Sequence, residues 1–169
     1  MWGLSARLVR RRNKSGSAEE EFARAKETAL RYISYRPRTV WEVVKKLTQK
    51  GYHQDIISHI VLFLKEYGFL DDQEFAEMWL RSRTGEKPCG RVRIYHEMMR
   101  KGIDREIIEE SLSIITPEKE ETMARLLVER KYHKTGFDYK KIEGFLLRRG
   151  FEQNIVRKIL DEFLQESHA

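Results

Sequence analysis

The chain contains a single cysteine, Cys89, so no disulfide can close within it, and a reducing compartment, the cytoplasm, is expected. Three prolines and ten glycines in 169 residues are too few for the many turns of an all-β fold. No apolar run approaches the ~18–20 residues that span a bilayer, so no membrane partner is expected. Catalytic signatures are also missing. GEKPCG at Gly85–Gly90 has the glycine spacing of a phosphate-binding loop, but Arg91 and Val92 follow where lysine and a hydroxyl residue are needed. His96-Glu97-Met98-Met99 opens like a zinc-protease helix, but Arg100 stands where the second imidazole belongs. His53, His59, His133 and His168 have no metal-ligand spacing. Cys89 has no adjacent base and, following Pro88 in a loop, reads as an exposed, dispensable thiol. Neither a catalytic residue nor a metal or cofactor site is expected.

What the chain does have is charge and helical period. Charged residues make up 36% of it and apolar residues 40%, with a net charge of +6. That is enough hydrocarbon for a core, and the excess of cations points to an acidic or polyanionic partner. Arg7, Arg10, Arg11, Arg12 and Lys14 form a run with no acid among them, read as a mobile basic arm over residues 1–16.

Three stretches share one pattern: KGYHQDII at Lys50–Ile57, KGIDREII at Lys101–Ile108 and RGFEQNIV at Arg149–Val156. Aligned on Gly51, Gly102 and Gly150, the residues four before are Leu47, Met98 and Leu146, and those eight before are Val43, Ile94 and Ile142. Spacings of four share a helix face. Lys50, Lys101 and Arg149 then place a cation in the last turn, against the negative end of the helix dipole. The glycine fits the left-handed position that ends a helix, with Tyr52, Ile103 or Phe151 packing back on the residue four before it. Apolar stripes of helical period follow, such as Ile56, Ile57, Ile60 and Leu64.

Each unit also opens with a helix. Capping boxes stand at Ser17-x-x-Glu20 and Thr39-x-x-Glu42, a carboxylate cap at Asp71-Asp72 with the second carboxylate favouring the dipole, and Thr116-Pro117 is a cap with proline at the first helical position. The spacing predicts nine helices over residues 18–35, 39–50, 53–67, 72–84, 90–101, 104–115, 117–133, 139–149 and 152–166. The expected fold is all-α: three tandem three-helix repeats, 17–68, 69–115 and 116–169, stacked into an elongated, curved, right-handed or solenoid-like body. A unit of ~50 residues is marginal alone, so neighbours should support one another.

Cations gather on the middle and last units. Arg81, Arg83, Arg91, Arg93, Arg100 and Lys101 lie on or beside one helix pair, and Arg148 and Arg149 occupy the end of the eighth helix. These eight are the candidate contacts, suited to phosphates or to an acidic protein face. Arg91 and Arg93 also begin a helix that could serve a helix-turn-helix module reading duplex DNA, the alternative from another class.

Several of these blocks resemble the RecX family. GFLDDQEFAEMWLRSR at Gly68–Arg83 is similar to its aspartate-led Phe-Ala helix followed by a basic stretch. Gly90-Arg91-x-Arg93-Ile94 with Lys101-Gly102-Ile103 and Ile107 resembles the next block. Arg36-x-Arg38-Thr39 with Glu42, Leu47 and Lys50-Gly51 resembles the first, with Thr39 where serine is commoner, and Phe145–Phe151 resembles the last. In order, they cover about residues 20–166. The resemblance implies tandem three-helix repeats and a non-enzymatic, monomeric regulator. Such a protein lies in the groove of the RecA–DNA filament and lowers RecA's ATPase, strand-exchange and coprotease activities, and it touches single- or double-stranded DNA in some cases.

Overall fold

The computed structural model describes residues 17–85, 87–132 and 138–166. The basic arm of residues 1–16 and His133 and His168 lie outside the described residues. Among those described there are nine α-helices and no strand: α1 Ala18–Ser34, α2 Val40–Gln49, α3 Gln54–Glu66, α4 Asp72–Thr84, α5 Arg91–Arg100, α6 Arg105–Leu112, α7 Pro117–Tyr132, α8 Tyr139–Arg148 and α9 Gln153–Glu166. The helices agree with the sequence expectation to within a residue or so, except that α6 ends three residues early. Ile115 leaves the helix to bury its side chain in the core, and the Arg91 guanidinium takes the carbonyls of Leu112 and Ile115 at 3.2 and 3.3 Å.

Helix starts follow the caps. Thr39 and Glu42 complete a capping box on α2. Asp71 accepts the N–H groups of Gln73 and Glu74, and Asp104 and Asp138 cap α6 and α8. Asp72 stands in the first turn of α4, beside the dipole as expected, and takes a second role. It turns to another repeat, its Oδ1 accepting the Val40 N–H at 2.9 Å.

The three glycine stops have one geometry. Gly51, Gly102 and Gly150 have φ of 81°, 71° and 79°, a region that residues with a Cβ enter only at a cost. In each, the glycine N–H bonds the carbonyl three residues back, and the next N–H reaches the carbonyl five residues back: Tyr52 to Leu47, Ile103 to Met98 and Phe151 to Leu146. Both orphan carbonyls are thereby satisfied. A fourth stop of this kind, Gly68 with Phe69 bonded to Leu64, ends α3.

Helices α1, α2 and α3 pack on one another, α4 and α5 pack on α6, and α7 and α8 pack on α9. The buried residues form two cores. The first, containing Ala25, Val43, Leu47, Ile57, Ile60 and Leu64, is built by α1–α3 and closed by Leu70 from the link to α4. The second is continuous from Phe75 in α4 to Phe163 in α9, so the second and third repeats share one hydrocarbon interior. Cys89 is part of it at 4% exposure. The thiol is therefore buried, contrary to the sequence expectation, because the loop before α5 folds under the third repeat instead of over solvent.

Repeats join through a recurring contact in which the start of one middle helix meets the end of the next. At the first joint the Thr39 hydroxyl donates to the Lys101 carbonyl at 2.7 Å, and the Val40 N–H goes to Asp72. At the second, the Gly90 and Val92 N–H groups donate to the carbonyls of Arg149 and Gly150 at 3.0 and 3.1 Å, and the Arg91 N–H goes to Glu120 at 2.8 Å. Unsatisfied donors of one helix thus meet unsatisfied acceptors of another, and the dipoles of α2, α5 and α8 run head to tail.

Candidate partner-binding surface

Five of the eight candidate cations are tied to other groups of the chain, although Arg93 stays exposed. Glu97, on α5, is buried. It receives Arg83 Nε at 2.6 Å, Arg93 Nε at 2.9 Å and the Trp79 indole N–H at 3.1 Å. Burial alone would raise its pKa, but the hydrogen bonds from Arg83 and Arg93 outweigh this and hold the carboxyl below its ordinary range. The Arg83 guanidinium also lies 4.4 Å from the centre of the Trp79 ring. Lys101 reaches across the first joint to Glu42 at 3.0 Å, where Arg36 binds the same carboxylate at 2.8 Å. Arg91 closes the end of α6 as described. Arg149 donates to the Lys87 carbonyl at 3.3 Å and lies over the Phe145 ring.

The other three point outward. Arg81 makes only an exposed pair with Glu77, at 3.6 Å. Arg100 and Arg148 are exposed, and neither has a carboxylate partner among the described residues. Arg81 borders a cleft of about 880 Å³ between the end of α1 and the start of α4, lined by Ile33, Tyr35, Arg36, Phe69 and Met78 among others. Tyr35 and Phe69 project into solvent there.

At the start of α5 Arg91 is turned away from the role of reading duplex DNA. Its N–H groups are committed to Arg149, Gly150 and Glu120, and the Arg91 side chain is turned back onto α6. Among the described residues no three His, Cys, Asp or Glu side chains gather as a metal-binding group, and no helix is long and apolar enough to cross a membrane.

Two carboxylates that organise the surface were not singled out for this role in the sequence. Glu97 had a visible signal: it follows Arg93 by four and shares a face with Ile94 and Met98, so a carboxylate lies on a buried stripe with a cation one turn away. Glu42 was legible as a cap but not as the ion partner of Lys101, which is remote in sequence. Burial would raise the Glu42 pKa, but hydrogen bonds from Arg36, Lys101 and the Thr39 N–H bring it down to about 2. A carboxyl held below its unfolded value stabilises the fold above that value, and the contribution fades as pH falls towards the folded pKa. Glu42→Gln should therefore cost about 2 kcal/mol at pH 7, the usual scale for hydrogen bonds to a charged group. In a thermal melt this is roughly 4–8 °C. The gap from the parent should narrow between pH 5 and pH 2, and a gap unchanged over that range would contradict the assignment.

Fold and surface together define an all-helical protein of tandem three-helix repeats whose distinctive chemistry is a set of charged joints. Family models match two segments: residues 71–112 fit the second three-helix domain of RecX and residues 25–64 the first. The regulatory protein RecX of Clostridium perfringens (strain SM101 / Type A) is 35% identical over 159 residues, covering 88% of this chain and 74% of that protein. That of Amycolatopsis mediterranei is 31% identical, covering 89% of each. The crystal structure of RecX from Lactobacillus salivarius superposes with a TM-score of 0.77 at 29% identity, over 86% of this chain and 97% of that one. The chain belongs to the RecX family of regulatory proteins.

Proposed function

We propose that the chain is a non-enzymatic regulator that binds RecA nucleoprotein filaments and lowers their ATPase, strand-exchange and coprotease activities. The observation that carries this reading is the recurring joint. Two successive junctions share one pattern: the N-cap residue of a middle helix donates to the carbonyl just before the next glycine stop, from a hydroxyl at Thr39 and from the backbone at Gly90, and the N–H that follows goes to a carboxylate; such a recurring joint suits a partner that is itself a repeating assembly. Membership of a family of regulatory proteins supports it, as does the net positive charge, which favours association with an acidic filament or with DNA phosphates. Contact falls on the outward cations Arg81, Arg100 and Arg148, while Arg83, Arg91, Arg93, Lys101 and Arg149 hold the surface in shape.

The test is the single-stranded-DNA-dependent ATPase of RecA, with this chain added below the RecA concentration. Inhibition that weakens as salt rises is the expected outcome. Unchanged turnover at low salt would overturn the proposal.

A further inference from the structure

Each repeat carries a carboxylate on its first helix, four residues before a buried alanine and 30 residues before its glycine stop. These are Glu21 with Ala25 and Gly51, Asp72 with Ala76 and Gly102, and Glu120 with Ala124 and Gly150. In the second and third repeats the carboxylate, the glycine and the carbonyl before it form one socket, filled by the start of the preceding middle helix. Asp72 and the Lys101 carbonyl hold Val40 and Thr39, and Trp41 lies over Gly102, where a Cβ would point. Glu120 and the Arg149 carbonyl hold Arg91 and Gly90, and Arg93 lies over Gly150 in the same way.

The first repeat has the same three parts without the contacts. Gly51 has the left-handed φ of the other two, and nothing lies within 4 Å of where its Cβ would stand. Among the described residues no donor reaches the Lys50 carbonyl, and the part-buried Glu21 carboxylate has no partner. With Tyr52 and side chains of α1 they line a groove of about 450 Å³. The two filled sockets define what fits: the first turn of a helix, with an N–H for the carboxylate and a side-chain stem to lie over the glycine. The chain carries one such turn that enters no joint. With Ile142 aligned on Val43 and Ile94, Asp138, Tyr139 and Lys140 of α8 stand where Thr39, Val40 and Trp41 stand in α2. All three are exposed, the Tyr139 N–H has no partner among the described residues, and a lysine stem covers apolar surface well. Helices α2, α5 and α8 have ten residues each, so their row is about 45 Å long at 1.5 Å per residue. Socket and helix start lie at its opposite ends and cannot meet within one molecule.

We propose that the socket of Glu21, Lys50 and Gly51 receives the start of α8 from a second copy of this chain, so that copies add head to tail. A second copy fits because the contact repeats, part for part, the joints already made inside the molecule. The Tyr139 N–H goes to Glu21, as those of Val40 and Arg91 go to Asp72 and Glu120. The interface is heterologous: each copy offers a socket at one end and a helix start at the other, and addition does not close on itself. Self-association of this kind is independent of any binding to RecA.

The experiment is sedimentation velocity of the full chain alone, from about 10 μM to about 1 mM, a range that covers weak association. The sedimentation coefficient of the parent should rise with concentration. Tyr139→Pro removes the N–H at a position where a helix accepts proline, and the extended backbone of Asp138 suits the residue before it. Glu21→Arg removes the acceptor. Each should weaken association about tenfold, the scale of a hydrogen bond to a charged group. Tyr139→Ala keeps the N–H and should associate much like the parent. Thermal melting verifies that every variant folds. Mixing Glu21→Arg with Tyr139→Pro should restore association, because each supplies the end the other has lost, and growth should stop at the dimer. A parent that stays monomeric throughout overturns the proposal and leaves the socket to residues 1–16 or to a helix of a different protein. Variants that associate like the parent, a Tyr139→Ala as weak as Tyr139→Pro, or a mixture that stays monomeric also overturn it.

Discussion

Alanine in place of Gly150 should lower the melting temperature by about 10 °C, corresponding to roughly 3–4 kcal/mol at this chain length. Two costs combine. At φ 79° a Cβ carries about 1–2 kcal/mol of left-handed strain. It would also stand 2.3 Å from Arg93 Cβ and 2.5 Å from the Arg93 backbone nitrogen, and a backbone cannot swing aside as a flexible side chain can, so the third repeat must back away from the second. Gly51→Ala separates the two costs. Its φ is 81°, but nothing lies within 4 Å of the added atom, so it should lose only about 1–2 kcal/mol. Gly90→Ala isolates the other cost: its φ of −69° suits any residue, yet the new Cβ would meet the Gly150 carbonyl oxygen at 2.2 Å. If Gly150→Ala and Gly51→Ala melted together, the close joint would not contribute as described.

Glu97→Ala should be nearly as damaging, at about 3 kcal/mol. Removing one partner of a buried ionic cluster leaves the others without their counter-charge. The cost stays towards the lower end of that class because Arg83 and Arg93 retain 33% and 46% side-chain exposure and regain water. Glu97→Gln keeps the shape and an acceptor for Trp79 and should cost less. The pH dependence gives the sign. Because the carboxyl is held below its ordinary value, its contribution is complete above about pH 5 and declines as acid protonates it. Melts of parent and Glu97→Ala should therefore converge on acidification. Equal stability at pH 7 would show that the arginines do not depend on this carboxylate.

The helical frame was legible because its signals are local. Leu47, Met98 and Leu146 announce the buried face, and Gly51, Gly102 and Gly150 the stop, all within a turn or two of chain. Gly68 carried the same signal without the preceding cation and was not recognised as a stop. The cationic surface was harder to read because sequence shows where charges are but not what they face. Arg81, Arg100 and Arg148 point outward as their positions suggest. Arg83 and Arg93 look equally available in the sequence, yet converge on Glu97 from different helices. Lys101 finds Glu42 at 59 residues' remove. Cys89 was misjudged, and the bond from Val40 to Asp72 missed, for the same reason: the partner comes from another repeat.

The interior is divided into two cores, and the two joints between repeats differ in kind. Around Glu42, Lys101 and Arg36 part of the joint between the first and second repeats is ionic, with Arg36 still 42% exposed, and mobile ions screen such contacts. The second and third repeats meet through hydrocarbon, which salting-out ions reinforce. Added salt should therefore weaken the ionic part of the first joint while sparing the hydrocarbon of the second.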